Sequence, residues 1–204
     1  MDVMTAVLTR RSEQTLNGPA PGDAEFTYLL QGASTAPDHG RLRPWRWILL
    51  RGDERDALGL AVAEEAGDDV GLADRMRAKL RRAPLVAALV FSPREGRIPE
   101  WEQLAAATCM SNSLQLLLHA RGYGSIWRTG ALTRSPAACD LLGLGPGERL
   151  LGSLDIGTPD RSAARGRRPL ADMSAHVTPF GDLARPGAVR PSVGSAGQDE
   201  PPVR

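Results

Sequence analysis

The sequence is poor in several residue types, and each shortage excludes a class of protein. Cys109 and Cys139 are the two cysteines among 204 residues, and they offer neither CxxC spacing nor a disulfide framework. The longest apolar run, residues 83–91, contains Pro84 and is too short for a membrane-spanning helix. Lys and Arg together number 25 against 24 acidic residues, so a net charge of +1 gives no attraction to nucleic acid or anionic membrane.

The usual signatures of hydrolytic, metal and nucleotide sites are also missing. Gly122 and Gly124 follow a helical segment, and Trp127 stands where a dinucleotide fingerprint needs its third glycine. No GxSxG elbow or phosphate-loop GK[ST] occurs, and the three histidines lack metal-ligand spacing. The first residues carry no basic stretch followed by an apolar block, so we expect no signal peptide and a cytoplasmic protein.

Helical and strand-like segments are interspersed along the chain. We expect an Asp2-capped first helix ending near residues 10–12 and an Asp23-capped second helix with Phe26, Leu29, Leu30 and Ala33 on one face. A further helix should follow Gly52-Asp53, and a charged helix should span 71–82. The longest helix, over 102–121, has apolar residues on more than one face, which indicates burial in a core or between subunits. Strands are predicted at 45–50, 85–91, 125–128 and 150–156, and a short helix at 136–142. The 85–91 segment has no polar alternation, so we expect that strand to be covered on both faces. This order predicts an α+β fold with a mixed β-sheet flanked by helices.

The last 23 residues, 182–204, contain four prolines and three glycines and show no apolar periodicity. Such a composition cannot bury enough surface to offset the entropy of ordering the chain. We therefore predict one domain over residues 1–181 followed by a disordered tail over 182–204.

Three short segments combine unusual residues in a specific order. They are Arg10-Arg11-Ser12, the stretch from Ala36-Pro37-Asp38-His39 to Pro44-Trp45, and Trp127-Arg128-Thr129, with Trp101-Glu102-Gln103 opening the long helix. Because 24 of the 25 basic residues are arginine, a single arginine carries little information, and the joint occurrence of the segments carries the signal. Over residues 1–160 the order and spacing resemble the nitroreductase family of FMN-dependent oxidoreductases, in particular its compact YdjA-like branch.

The resemblance implies a binding site for FMN that two chains share in an interlocked homodimer. By resemblance, the first FMN-contacting segment of the chain consists of Arg10, Arg11 and Ser12. Their guanidinium and hydroxyl groups suit the phosphate of FMN. Thr35 and His39 would reach the flavin held mainly by the partner chain, although relatives often carry Arg at the position of Thr35. Trp127, Arg128 and Thr129 match the last FMN-contacting segment.

Each segment also has a simpler explanation. Two arginines at a helix C-terminus are favourable by ~0.3–1 kcal/mol without any ligand. His39 could stand in an exposed turn after Pro37, and Arg128 could be an ordinary exposed residue on an edge strand. The Asn and Gln that precede Pro-Trp in many relatives are replaced here by Arg41-Leu42-Arg43, which leaves recognition of the flavin ring partly unexplained.

The resemblance implies transfer of a hydride from NAD(P)H to FMN and then reduction of a small-molecule acceptor such as a nitroaromatic or a quinone. In such enzymes the cofactor performs the chemistry, which explains why the sequence shows no acid–base pair. Two other functions stay open: an FMN-binding sensor or storage protein with little turnover, and a non-redox interaction module without cofactor.

Overall fold

The computed structural model describes residues 1–64, 71–160 and 170–180. The chain separates into two units, Met1–Gly166 and Arg167–Arg204. In the second unit, residues 170–180 are exposed and contain a 3-10 turn at Ser174–His176. The predicted tail, 182–204, lies outside the described residues, so that prediction and the domain boundary at 181 stay untested.

The first unit alternates helices with strands. The helices are α1 (Val3–Thr9), α2 (Asp23–Ala33), α3 (Glu54–Glu64), α4 (Leu72–Leu80), α5 (Glu100–Ala120), α6 (Ala131–Arg134) and α7 (Pro136–Leu141), with a 3-10 turn at His39–Arg41. The strands are β1 (Leu16–Asn17), β2 (Trp45–Leu50), β3 (Leu85–Phe91), β4 (Gly124–Arg128) and β5 (Arg149–Pro159). The predicted elements are all present, whereas β1 and α6 were not predicted. None of the described helices is both long and apolar enough to cross a membrane.

The five strands form one sheet in which β5 is the most connected strand. It pairs with β3, β4 and β1, and β2 completes the sheet beside β3. Every ladder between these strands is antiparallel, and the parallel component is a single bridge between Ser12 and Ser125. The five strands thus form an antiparallel sheet rather than the mixed sheet expected, because Ser12 of the parallel bridge lies outside them.

Helices cover both faces of the sheet, as the uninterrupted apolar sequence of β3 predicted. All seven β3 residues are buried. Leu85, Ala87 and Leu89 pack with α2 and α5, whereas Val86, Ala88 and Val90 pack in a second cluster with residues of α3, α4, α6 and α7. This alternation follows the two-residue period of a strand. The α+β fold class is confirmed.

The helix termini explain where the site segments begin. Asp2 caps α1 by accepting from the Thr5 backbone N–H at 3.0 Å, as predicted, and the helix ends with Arg10 at its C-cap. The prediction that Asp23 caps α2 is wrong by one residue, because Gly22 occupies the N-cap. Asp23 is instead the first helical residue, where its carboxylate interacts favourably with the helix dipole and accepts from Arg51 at 2.9 Å.

Candidate functional site

The first and last predicted site segments lie side by side. The chain leaving α1 runs next to β4, where Ser12 bridges Ser125 and the backbone N–H of Glu13 donates to the Ser125 carbonyl at 3.2 Å. Ser12 is exposed, while Arg10 and Arg11 are half-buried. A long-range backbone contact therefore places the 10–12 segment beside the strand that ends in Trp127 and Arg128.

Trp127 uses its side chain for packing. Its indole is half-buried against the α2–α5 cluster, and its Nε1–H donates to the Leu151 carbonyl at 3.2 Å. Gly152 (φ +135°) makes this possible, because a Cβ there would lie 2.4 Å from both the indole nitrogen and the Arg128 carbonyl. What Trp127 can offer a ligand is thus its backbone and the exposed part of its ring.

Arg128 points to the opposite face of the sheet and binds an acid there. Its guanidinium donates to the carboxylate of Asp155, and the two side chains are 17% and 1% exposed. A weaker contact of 3.5 Å joins Arg128 Nη2 to Gln14 Oε1. Burial raises the pKa of Asp155, and the neighbouring Arg128 opposes that rise by stabilising the ionised form. The simpler explanation, an ordinary exposed arginine, is wrong.

A small cavity of about 40 Å³ lies beside this ion pair, with Lys79, Arg128, Thr129 and Ser153 among its lining residues. Asp155 Oδ1 and Ser153 Oγ are buried without a hydrogen-bond partner in the described part of the chain. A cavity of this size has room for a water molecule. Thr129 itself is exposed at the end of β4.

Thr35 and His39 belong to a second cluster, after the end of α2. The Thr35 hydroxyl is exposed and donates to the Gly32 carbonyl at 2.8 Å. His39 is 71% exposed, and its Nδ1 lies 2.8 Å from Glu102 Oε2, in the first turn of α5. The carboxylate fixes the orientation of an imidazole that otherwise faces solvent.

The loop after His39 has an unusual backbone. Arg41 and Arg43 have φ values of +54° and +47°, in the left-handed region that costs an L-residue about 1–2 kcal/mol. Asp38 holds this conformation, because its carboxylate accepts from the backbone N–H groups of Leu42 at 3.2 Å and Arg43 at 2.8 Å. Strained backbone of this kind is concentrated at functional sites.

Helix α5 separates the two clusters within one chain. Glu102, near its first residue, contacts His39, and His119, near its last, lies 2.8 Å from the hydroxyl of Thr9, which precedes Arg10. Seventeen residues of helix correspond to about 25 Å. One chain therefore brings the 10–12 segment together with the 127–129 segment, and it keeps His39 at a distance.

Several residues that shape these clusters were missed from the sequence. Asp155 was detectable, because it is a single charge within the apolar segment 150–156. Glu102 belongs to the helix-opening motif, but nothing along the chain indicates its contact with His39. The left-handed conformation of Arg41 and Arg43 had no sequence signal, since neither residue is glycine or asparagine.

Comparison with known proteins gives a consistent result. The family model of the nitroreductase family matches residues 7–158. "Putative NAD(P)H nitroreductase YdjA" of Escherichia coli strain K12 is 34% identical over 169 residues, which cover 80% of this chain and 92% of that protein.

Solved structures show the same fold. The structure of a nitroreductase-like family protein from Bacillus cereus superposes with a TM-score of 0.78 at 24% identity, covering 88% of this chain and 96% of that one. That of the FMN and NADPH-dependent nitroreductase NfnB from Sphigopyxis sp. strain HMH gives 0.69 at 21% identity, covering 87% and 98%.

The match to the family model and to the curated relative defines the chain as an oxidoreductase, and its helix-covered antiparallel sheet is the fold of the similar solved structures. More specifically, the chain belongs to the nitroreductase family.

Proposed function

We propose that this protein is an FMN-dependent oxidoreductase that takes a hydride from NAD(P)H and reduces a nitroaromatic, a quinone or a similar small acceptor. The observation that carries the proposal is the pairing of Ser12 with Ser125, which joins two separate FMN-type segments into one surface. The name of the E. coli relative supports NAD(P)H as donor, and the likeness to the FMN and NADPH-dependent nitroreductase NfnB supports FMN as cofactor.

The donor set fits the cofactor. Guanidinium groups from Arg10 and Arg11 and the exposed hydroxyl of Ser12 suit a phosphate monoester, which accepts several charge-assisted hydrogen bonds. Backbone groups of Trp127 and Thr129 would face the polar ribityl chain and the ring. When bound, FMN supplies a ring that accepts a hydride from NAD(P)H and passes electrons to the acceptor. The protein residues bind and orient that ring and limit the access of water.

Arg128 contributes differently from the other arginines. Its guanidinium is engaged by buried Asp155, so we assign it to holding the end of β4 in place, with its backbone available to the cofactor. Gly152 and Trp127 support the same strand by close packing. These contacts keep the 127–129 segment in one conformation, which a binding site requires.

A second copy of the chain would complete the site. His39 lies about 25 Å along α5 from the Arg10 segment, too far to contact the same group. In a two-fold dimer, a surface of one chain meets the corresponding surface of the other, so the α2-end cluster of one chain can reach the Arg10 cluster of its partner. We propose that FMN lies between them.

The decisive test is the absorption spectrum of the purified protein, before and after anaerobic addition of NADH or NADPH. We expect a flavin spectrum that bleaches with the reductant and recovers with a nitroaromatic or a quinone. A colourless protein that stays colourless in excess FMN contradicts the proposal. A yellow protein that neither nucleotide reduces would be a sensor or storage protein instead.

Arg10→Ala tests the phosphate contact. Loss of one charge-assisted hydrogen bond costs ~1.5–3 kcal/mol, so FMN should bind about ten- to a hundred-fold more weakly. Fluorescence titration of the apoprotein with FMN measures this. Arg97→Ala, an exposed arginine between β3 and α5, removes the same charge elsewhere and should leave FMN affinity unchanged. Equal affinity in both variants would remove Arg10 from the site.

A further inference from the structure

A groove of about 470 Å³ lies between the end of α2 and the strained loop. Residues 34–38 form one wall, and Arg41 and Arg43 line the other. Thr35, which we assign to the flavin site, is part of this wall, so the groove opens next to that site. The function proposed above uses neither Arg41 nor Arg43.

The two guanidinium groups are exposed and have no acidic partner among the described residues. Other arginines of the chain are paired: Arg46 with Glu148 at 2.6 Å, and Arg51 with Asp23 at 2.9 Å. Among the described residues that line the groove, Asp38 is the acidic one. Its two carboxylate oxygens accept from backbone N–H groups within the loop. The groove therefore has an excess of positive charge that no described side chain neutralises.

The loop is also held in one conformation. The Arg41 backbone N–H donates to the Asp38 carbonyl at 2.9 Å, and the Trp45 N–H donates to the Arg43 carbonyl at 2.7 Å. At Gly40 (φ +77°) a Cβ would lie 2.6 Å from Ile98 Cδ1, so the loop packs closely against its neighbour. A fixed backbone lowers the entropy lost when its side chains bind an anion.

We propose that Arg41 and Arg43 bind a phosphate monoester. This group carries about −1.5 to −2 charges at pH 7, which matches two unpaired guanidiniums better than a single carboxylate does. Two sources fit the position: the 2′-phosphate of NADPH, and the phosphate of the FMN held by a second copy. That these two molecules are the candidates rests on the function proposed above, which uses FMN as cofactor and NAD(P)H as electron donor.

The test compares Arg41→Gln/Arg43→Gln with Arg94→Gln/Arg97→Gln in the full chain. The control pair is exposed, lies in the neighbouring 92–99 loop and removes the same charge. Calorimetry with 2′,5′-ADP and 5′-AMP, which differ only in the 2′-phosphate, measures binding without turnover. FMN titration and the KM values for NADPH and NADH are determined on the same proteins.

If the source is NADPH, the wild type should bind 2′,5′-ADP at least about ten-fold more tightly than 5′-AMP. The Arg41/Arg43 variant should then lose this preference and show a similar rise in KM for NADPH, with NADH and FMN unaffected. If the source is FMN, FMN affinity should fall instead, for this variant and not for the control.

Unchanged affinity for both phosphates, or equal losses in the control variant, would overturn the proposal. If the wild type is yellow and active but has no preference for 2′,5′-ADP, and the variant keeps its FMN affinity, the phosphate site in the groove is refuted. The proposed function is then unaffected. A colourless chain that still prefers 2′,5′-ADP refutes the proposed function and supports the groove.

Discussion

At the residue scale, the buried pair of Asp155 and Arg128 has the largest energetic consequence. Asp155 is 1% exposed on β5, the most connected strand of the sheet, and burial raises its pKa. A buried carboxylate is tolerated when it is paired, and removal of one partner leaves an uncompensated charge in the protein interior. Arg128 thus connects the stability of the sheet with the segment assigned to FMN.

Arg128→Met should destabilise the protein by about 3–5 kcal/mol at pH 7, because ionised Asp155 would be buried without its partner. Since the pKa of Asp155 is raised in the folded state, its charged form opposes folding at neutral pH, and protonation removes that penalty. The pKa rises further without Arg128, so the deficit should shrink as the pH is lowered from 7 to 5. Urea unfolding of the variant and the wild type at both pH values measures this difference in the free energy of unfolding.

The double variant Arg128→Met/Asp155→Leu serves as the control for this prediction. It removes both charges, and the cost of burying an unpaired carboxylate disappears with them. We expect it to recover most of the lost stability, and its remaining deficit should not shrink between pH 7 and pH 5, because the titrating carboxyl is gone. A deficit of Arg128→Met that is equal at both pH values, or one that persists in full in the double variant, would show that packing rather than charge explains the effect.

At the element scale, α5 has a surface that an isolated subunit does not explain. No Asp, Glu, Lys or Arg occurs from residue 103 to residue 118. Ala105, Thr108, Cys109 and Asn112 are nonetheless exposed. A solvent-facing helix face normally carries charge. Val3, Met4 and Val7 of α1 are exposed as well, and α1 contacts α5. This uncharged surface is where we place the second copy.

Cys109→Arg should dissociate the proposed dimer. Cys109 is exposed near the middle of α5, so a single chain tolerates the larger side chain, whereas an interface would have to bury an unpaired charge. We expect at least a hundred-fold weaker self-association by sedimentation, near-native circular dichroism and loss of bound FMN. Ala57→Arg, on the exposed side of α3, is the matched control and should change none of these properties. A dimer that persists in Cys109→Arg would place the interface elsewhere.

At the scale of the whole molecule, the dimer that we propose would give each site residues from both chains, because His39 and Arg10 lie at opposite ends of α5. This arrangement differs from a site within one chain in a way that mixing of variants can detect. In a dimer of one Arg10→Ala chain and one His39→Ala chain, one shared site would carry both substitutions, and the other would carry neither.

Co-expression of Arg10→Ala and His39→Ala chains should therefore restore tight FMN binding to about a quarter of all sites, because half of randomly formed dimers are mixed and each contains one intact site. Each variant alone should have no tight site. FMN titration of the mixture measures this fraction, and in the mixed dimer isolated by two affinity tags about half of the sites should bind FMN tightly. If the mixed dimer binds no better than its parents, Arg10 and His39 act within the same chain or do not act on FMN.

Local sequence was sufficient for most elements. The apolar composition of 45–50 and 85–91 identified β2 and β3, and the periodicity of Phe26, Leu29 and Ala33 identified the buried face of α2. These features depend on neighbours within a few residues. The two residues of β1 and the single turn of α6 are too short to show a hydrophobic periodicity. The N-cap of α2 was predicted one residue too late because Gly22 and Asp23 are both favourable at that position.

The sequence by itself determined the order of helices and strands, the burial of the sheet on both faces and the resemblance that pointed to a nitroreductase, because each depends on composition and spacing along the chain. Only the tertiary structure decided that Ser12 lies beside Ser125, that Arg128 is bound to Asp155, and that His39 is far from Arg10 in the same subunit. Those relations depend on which distant segments meet across the sheet and along α5, and such contacts are fixed by packing of the whole chain.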